Sequence, residues 1–572
     1  MKRSRAQAEL EEEEEGEAQS ERQVPEDEVE AALARLEAEE RAAAARGDGY
    51  GDEDGSTVTA AMDAAHMKRL VLAFERALTR NQEQRVKHVG EPAKYVESEV
   101  ELDEAIKALS AIAAHPMLFA PLVALRAHES VLALLTHENT DIVLDALELL
   151  AELTEGDEEG GVHVQELVIA LVEQPLLPLL VTNLGRLSEA QSDEKAGVLR
   201  VLQVLDNLLE LQPSLATRLV QETPLLTWLL KRLQVKEFDE VKQFASELLA
   251  VLLQHAPRQV CAALPAASAV DALLTAVARY KKSEQDPQSP DEEEFVENVF
   301  DALCVVAVST EHRKAFAQAE GLKLLQIMLK NKARARRGAL RLLAHVLQGD
   351  VKACRRWVQL PALGTLCAAL MKKGSARHRK AFDDRQDDEH VLSALWHLLA
   401  SLTAPQDAEL RGRVLAKFTE EDMEKLERLC ELHDKYAQRV RAAEQRVQQE
   451  REESDESAME EERLLQRLDA GGYVLQLCDL LLATVVCELH HALPAVTAKA
   501  QQLLTLNNSS LADVAQNIAD FANELGDQQT ESEGKVEGEG EGESKEETRR
   551  LREGVQRMAR TLLELDQEAD TR

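Results

Sequence analysis

Cys487, His490 and His491, with Cys478 two to three turns earlier, form the densest set of metal-type ligands in the chain. A structural zinc site needs four ligands in two spaced pairs, and here the second pair is missing. The reading that follows is helix packing, with no metal and no cofactor. Asp48, Asp52, Asp54 and Gly55 imitate part of a calcium loop. That register, however, places Tyr50 at a ligand position and Ala61 where a bidentate glutamate belongs. No HExxH, no GxxxxGK[ST], no GxGxxG after a strand and no GxSxG is present. The chain is therefore not expected to be an enzyme, and an α-helical hydrolase lacks any nucleophile–base arrangement.

What remains is recognition by charge. Lys plus Arg number 67 against 105 Asp plus Glu, a net charge of −38. Such a chain lacks the basic footprint of a nucleic-acid binder and attracts basic partners. Asp141, Asp145, Glu148 and Glu152 fall at i, i+4, i+7 and i+11, one stripe opposite an apolar helix face. Related polar positions follow at Asn207 and Glu210, at Glu240, Gln243 and Glu247, and at Glu294, Asn298 and Asp301. Stacked at a repeat spacing, these make a ladder in which amides hold an extended backbone and carboxylates pair Lys and Arg. A merely solvated helix face is the competing reading. Two basic clusters run against the general charge: Lys332, Arg334, Arg336, Arg337 and Arg341, and Lys372, Lys373, Arg377, Arg379 and Lys380. Neither carries interleaved aromatics, so direct RNA contact is not expected, and an acidic partner or the chain's own acidic tails are alternatives.

The elements that must position these residues are helices. Hydrophobic residues make up 44% but aromatics only 3%, so Leu and Ala do the packing. A leucine-rich helix, a polar break and a second leucine-rich helix recur at 131–155, 176–211, 225–254, 270–308, 322–348 and 363–402. Successive starts lie 41 to 52 residues apart, near the period of HEAT and armadillo arrays, about 40–47, and longer than the ~34 of tetratricopeptide units. Hairpins with one apolar face must stack, which predicts an all-α, armadillo/HEAT-like α-solenoid. Residues 1–62 hold 7 basic against 19 acidic residues and are expected to be a disordered acidic region. Residues 63–125 read as an N-terminal HEAT-like helical region, 126–405 as armadillo-like repeats, 406–527 as a helical cap and 528–572 as an acidic low-complexity tail. Within that tail, 549–568 has the pattern of a short amphipathic helix on Leu551, Val555, Met558, Leu562 and Leu563.

Phe418 to Glu450 reads as one long charged helix with Leu426, Leu429, His433, Tyr436, Val440, Ala443 and Val447 at heptad-like spacing. A homodimeric coiled coil and a helix lying across the solenoid end are both open. Gly471-Gly472 then introduces an apolar capping helix. The longest uncharged stretch, Ala108 to Leu125, is interrupted by His115, Pro116 and Pro121, so a buried hairpin is expected and no membrane span. Seven cysteines without a CxxC pair suit scattered thiols in a reducing compartment.

Several stretches carry a resemblance. Asn81-Gln82-Glu83, Glu97-Ser98-Glu99, His137-Glu138-Asn139-Thr140-Asp141, Trp228-Leu229-Leu230-Lys231-Arg232-Leu233, Glu320-Gly321-Leu322, Lys417-Phe418-Thr419-Glu420 and Arg467-Leu468-Asp469-Ala470-Gly471 resemble, in order, the beta-catenin-like family of armadillo proteins. The similarity runs from about Met67 to Asp527. It implies a nuclear, spliceosome-associated protein, whose relatives join the nineteen complex and bind nuclear localisation sequences of splicing partners. The family's N-terminal basic signal is reduced here to Lys2, Arg3 and Arg5, and the stretch after Asp527 lies beyond the usual family end.

The expectation is thus a non-enzymatic nuclear adaptor that captures basic segments of splicing factors. The alternative is a nuclear import receptor for basic cargo. Such receptors use regular Trp–Asn pairs, and only Trp228, Trp357 and Trp396 exist here, irregularly spaced.

Overall fold

The computed structural model describes residues 63–156, 161–331, 334–372, 384–449, 456–532 and 541–570. Every regular element among them is a helix. The acidic region expected at 1–62, and Lys332, Lys373, Arg377, Arg379 and Lys380 of the basic clusters, lie outside the described residues. The chain divides into two compact units, 1–264 and 265–572. That boundary falls inside the repeat array rather than at either end of it.

The first unit opens with α1 (Ala64–Lys87) and α2 (Val96–Leu109), packed on each other. Asp63 caps α1 by accepting from the His66 amide at 2.7 Å, which satisfies one of the four donors a helix start leaves open. Repeats of three helices follow: α3 (Phe119–Ala124), α4 (Ala127–Leu134) and α5 (Thr140–Thr154); α6 (Gly161–Glu173), α7 (Leu176–Arg186) and α8 (Ser192–Leu211); α9 (Leu215–Glu222), α10 (Leu225–Leu233) and α11 (Glu240–His255). Helix α12 (Pro257–Ala263) closes the unit. The hairpins expected from the sequence are the second and third helices of each repeat. The first helix was not expected.

The third helices form one row, with α2 against α5, α5 against α8 and α8 against α11. Helix α5 shows why. Ile142, Val143, Ala146, Leu147, Leu149, Leu150, Ala151 and Leu153 are all buried. The apolar surface therefore wraps nearly the whole helix and leaves one stripe for Asp141, Asp145, Glu148 and Glu152. Each fully buried Val or Leu contributes about 1.5–3 kcal/mol, so this helix is held by its neighbours and not by its own propensity. The row is tight: a Cβ on Gly197 of α8 would sit 2.2 Å from Leu144 Cδ2 of α5.

The second unit begins with α13 (Ala266–Ala278) and α14 (Pro290–Val306). Two full repeats follow, α15 (Thr310–Gln318), α16 (Gly321–Asn331) and α17 (Arg336–Leu347), then α18 (Val351–Gln359), α19 (Leu363–Leu370) and α20 (Asp384–Ser401). Here the row runs α14, α17, α20. The C-terminal part comprises α21 (Ala408–Thr419), α22 (Glu424–Gln449), α23 (Glu456–Asp469), α24 (Gly472–Leu489), α25 (Pro494–Leu506), α26 (Leu511–Ser532) and α27 (Glu541–Asp570).

One expectation changes in this part, and two are sharpened. The single helix over 418–450 is broken: α21 ends at Thr419, and Glu421, Asp422 and Met423 have φ of 52°, 53° and 65° before α22 begins. A run of left-handed residues cannot continue an α-helix. The heptad seam is filled from within the same chain. Leu426, Leu429, His433 and Tyr436 are fully buried, and α22 packs on α24. The amphipathic helix expected at 549–568 is the C-terminal part of α27, which buries Val555, Ala559 and Leu562 against α24 and α26. Helix α24 is long and apolar enough by composition to cross a membrane. Its Leu477, Cys478, Leu480, Leu481, Leu482, Val485 and Val486 are instead buried at the centre of this helical cluster. Its start uses Gly471, whose φ of 98° suits glycine alone among residues without strain.

Candidate partner-binding surface

The stripe on α5 begins at a strong cap. Asn139 Oδ1 accepts from the Asp141 amide at 3.0 Å, while Asn139 Nδ2 donates to Glu99 Oε2 of α2 at 3.1 Å. Asp141 and Glu148 are exposed, whereas Asp145 and Glu152 are half-buried. Glu148 accepts from Arg200 of α8 at 3.2 Å. Asp145 faces Asp103 of α2, and Lys107 Nζ lies 3.7 Å from Asp145 Oδ1. Burial, then the hydrogen bond to Asp103 and its charge, push the Asp145 carboxyl up to about 7. The same hydrogen bond holds Asp103 below its ordinary value. Two ionised carboxylates cannot donate to one another, and Asp145 Oδ2 has no donor among the described residues. A proton shared by the pair satisfies both.

On α8, Asn207 Nδ2 donates to Thr154 Oγ1 at 3.1 Å and to Ala151 O at 3.3 Å. This amide ties α8 to α5, so its donor is spent inside the protein. Glu210 is exposed, and Asp206 beside it is pushed up by burial and by the Glu210 charge. On α11, Glu240 is exposed in the first turn and Gln243 and Glu247 are half-buried. Asp239 caps that helix through the Lys242 amide at 3.1 Å and also takes Lys195 at 3.2 Å and Arg232 at 2.5 Å.

The second unit places its part of the stripe differently. Glu294 and Asp301 of α14 are exposed and Asn298 is half-buried. Arg341 of α17 reaches both Glu297 at 3.0 Å and Asp301 at 2.6 Å. Arg334 pairs Glu293, and Arg337 pairs Asp387 of α20. Arg334, Arg337 and Arg341 of the first basic cluster therefore spend their charge on the acidic residues of the neighbouring helices. Three imidazoles also lie on this row. Burial, with Arg341 close by, lowers His345 and takes His390 to about 4, and burial next to His345 takes His397 to about 4.

Four residues that shape the surface were missed from sequence: Asp103, Lys107, Asp206 and Glu297. Glu99, Asp103 and Lys107 stand at i, i+4 and i+8, a signal of the same kind as the one that found α5. Nothing local marks Glu297 as facing Arg341. No group of three metal-type ligands occurs among the described residues. His490 Nδ1 instead pairs with Cys487 O at 2.6 Å.

A family model described as catenin-beta-like, Arm-motif containing, nuclear, matches residues 48–519. The chain belongs to the catenin-beta-like family. Beta-catenin-like protein 1 of Rattus norvegicus is 36% identical over 482 residues, covering 82% of this chain and 83% of that protein. The protein of the same name from Homo sapiens gives the same identity and coverage. The homologue from Schizosaccharomyces pombe is 32% identical over 448 residues, 76% of this chain and 75% of its own. Catenin-beta-like proteins are armadillo scaffolds, a non-catalytic kind of protein, and the family is described as nuclear. The match spans the whole row of third helices in both units, so every stripe residue lies inside the family region.

Proposed function

We propose that this catenin-beta-like chain is a nuclear adaptor of the splicing machinery, acting in the nineteen complex. Its first unit captures Lys/Arg-rich, nuclear-localisation-like segments of splicing partners. The observation that carries this reading is the exposure of Asp141, Glu148, Glu210 and Glu240 along one row of packed helices. Carboxylates at that spacing offer successive cationic side chains charge-assisted hydrogen bonds, and their summed field speeds encounter. The family resemblance supplies the splicing context. The same field disfavours nucleic acid as the direct ligand.

The import-receptor alternative needs tryptophans open to the ligand. Trp228 Nε1 donates to Leu184 O at 3.0 Å, and Trp357 and Trp396 are buried. Two of the three rings are thus packed inside the protein, which favours the adaptor. The test is titration of a fluorescent bipartite Lys/Arg peptide from a splicing factor into the full chain at 50 and 300 mM salt. Micromolar or tighter binding that weakens as salt rises is expected. Absence of binding at low salt overturns the reading, and recovery of many unrelated basic cargoes with no spliceosomal protein would favour the receptor.

A further inference from the structure

The stripe of α2 differs from the others in its row. Val96, Val100, Asp103 and Lys107 stand at i, i+4, i+7 and i+11, one face of that helix. Asp103 and Lys107 both meet Asp145 of α5, so this face lies on the same side as the acids of α5. The bonds between the two helices also fix their register. Glu99 lies beside Asn139 and Asp103 beside Asp145, so α2 and α5 run in the same direction and Val100 stands level with Asp141.

Val96 and Val100 are 49% and 51% exposed. Scattered exposed aliphatics are ordinary, but these two share one face of one helix. Among the described residues, α5, α8 and α11 expose no Val, Leu or Ile. Charge changes at the same place. Glu99 is taken by Arg85, Glu101 by Arg80, and Asp103 by Lys107 at 2.6 Å and by Asp145. On this face α2 thus has no carboxylate left for a cation, whereas the adjacent Asp141 is exposed. The mount is firm. Asn81 Nδ2 of α1 donates to Ser98 Oγ at 3.1 Å, Ser98 Oγ donates to Tyr95 O at 2.7 Å, and Asn81 Oδ1 meets His137 Nε2 at 3.2 Å. These bonds hold the start of α2 against α1 and against the turn that leads into α5, so little ordering is needed on binding.

We propose that Val96 and Val100 form an apolar subsite at the head of the acidic row, and that the row's ligand is a Lys/Arg run flanked by an aliphatic side chain. This rests on the reading of the first unit as a receptor for basic segments and narrows the class of segment it takes. Packed helices stand about 8–10 Å apart, and an extended chain rises about 3.1–3.4 Å per residue. The aliphatic residue therefore falls about three positions beyond the cation held at Asp141.

The test is fluorescence anisotropy on the full chain with pairs of labelled peptides. Each pair shares one Lys/Arg run and differs only in Leu or Ser three positions outside it, before the run in one pair and after it in the other. In one of the pairs, Leu is expected to bind about fivefold more tightly than Ser. That ratio should persist from 50 to 300 mM salt while both affinities fall, because an apolar contact is not screened. Val96→Ser/Val100→Ser should abolish the ratio and leave the affinity of the Ser peptide unchanged. Val96→Thr/Val100→Thr, which keeps the side-chain shape, is a second variant with the same expectation should the first lose helical content. Equal affinities of Leu and Ser peptides in both pairs, or a ratio that survives in the variants, overturns the subsite and leaves the receptor reading standing. Failure of every peptide to bind at 50 mM salt overturns the receptor reading, and the subsite with it.

Discussion

The row α2–α5–α8–α11 of the first unit and the row α14–α17–α20 of the second are built to the same plan, yet they differ in how many of their carboxylates are already paired. Both begin with carboxylates three or four residues apart on a third helix. In the first, the neighbouring helices offer few cations: Lys107 lies beside Asp145 and Arg200 pairs Glu148, while Asp141, Glu210 and Glu240 are exposed with no ion pair among the described residues. In the second, α17 brings Arg337 and Arg341 between the acids of α14 and α20, and neutral imidazoles complete the row. A stripe on one helix is therefore half of the information. The helix stacked beside it decides whether the charge is available or already paired.

The most severe way to break this comparison is to reverse the first row. Glu148→Lys, Glu210→Lys and Glu240→Lys together should weaken a basic splicing-factor peptide about 30- to 100-fold, measured by calorimetry, with helical content unchanged. Glu294→Lys with Asp301→Lys in the second unit should change the same affinity less than about twofold. Equal losses from the two sets would mean that the rows are not different.

A smaller effect is expected from Arg341→Ala. It leaves Glu297 and Asp301 without their guanidinium and should lower stability by about 1–2 kcal/mol in urea unfolding. It should also add weak peptide binding to the second unit, detectable in a chain already carrying the three reversals. Loss of stability without any gained binding would show that charge release alone does not make a docking surface.

A subtler change follows from Asp145. As pH rises from 6 to 8 the pair with Asp103 gives up its shared proton, so the first row becomes more acidic and the basic peptide should bind more tightly. Asp145→Asn should flatten that rise. The sign for stability is opposite. A folded-state carboxyl held near 7 is stable relative to the unfolded chain below pH about 4, and this contribution fades as pH climbs toward 7. An unchanged pH slope in Asp145→Asn would remove the pair from the binding surface.

The smallest shift belongs to the second unit's interior. His433 Nδ1 lies 2.5 Å from Asp479 Oδ1, with both side chains fully buried, and Asn517 Nδ2 donates to Asp479 Oδ2 at 2.7 Å. Burial alone would lower this imidazole, but the Asp479 charge and hydrogen bond hold it above its ordinary value. A raised histidine stabilises fully below its unfolded value near 6.5, and that stability is lost as pH rises through the folded value. Unfolding midpoints of the wild type should therefore fall from pH 6 toward pH 9, and those of His433→Gln should not. Identical pH profiles would remove the ion pair from the account.

How much of this was legible beforehand differs by feature. The second and third helices of each repeat announce themselves through long runs of leucine at helical spacing. The first helices do not, because leucine is scarce in them, and α15 and α18 contain none. The break at Glu421 to Met423 was missed for a related reason: none of the three is glycine, so no residue there signals a left-handed turn. The stripe on α5 is visible in the spacing of its acids, yet the state of Asp145 depends on Asp103, which lies on another helix 42 residues earlier. The amide of Asn207, read as a ligand for a peptide backbone, is instead spent on Thr154.

Composition and period along the chain were enough for an all-helical armadillo architecture, a strongly acidic character and the helix faces on which the acids lie, because these depend on residue type and on spacing within one helix. Which acids remain available, whether the seam of α22 meets a second chain or its own, and whether an acidic C-terminal segment docks were settled only by packing. Each of those outcomes rests on pairs of residues from different helices, such as Arg341 with Asp301, His433 with Asp479, and Met558 with Cys487. Proximity between helices is set by the fold of the whole unit and leaves no mark on either helix alone.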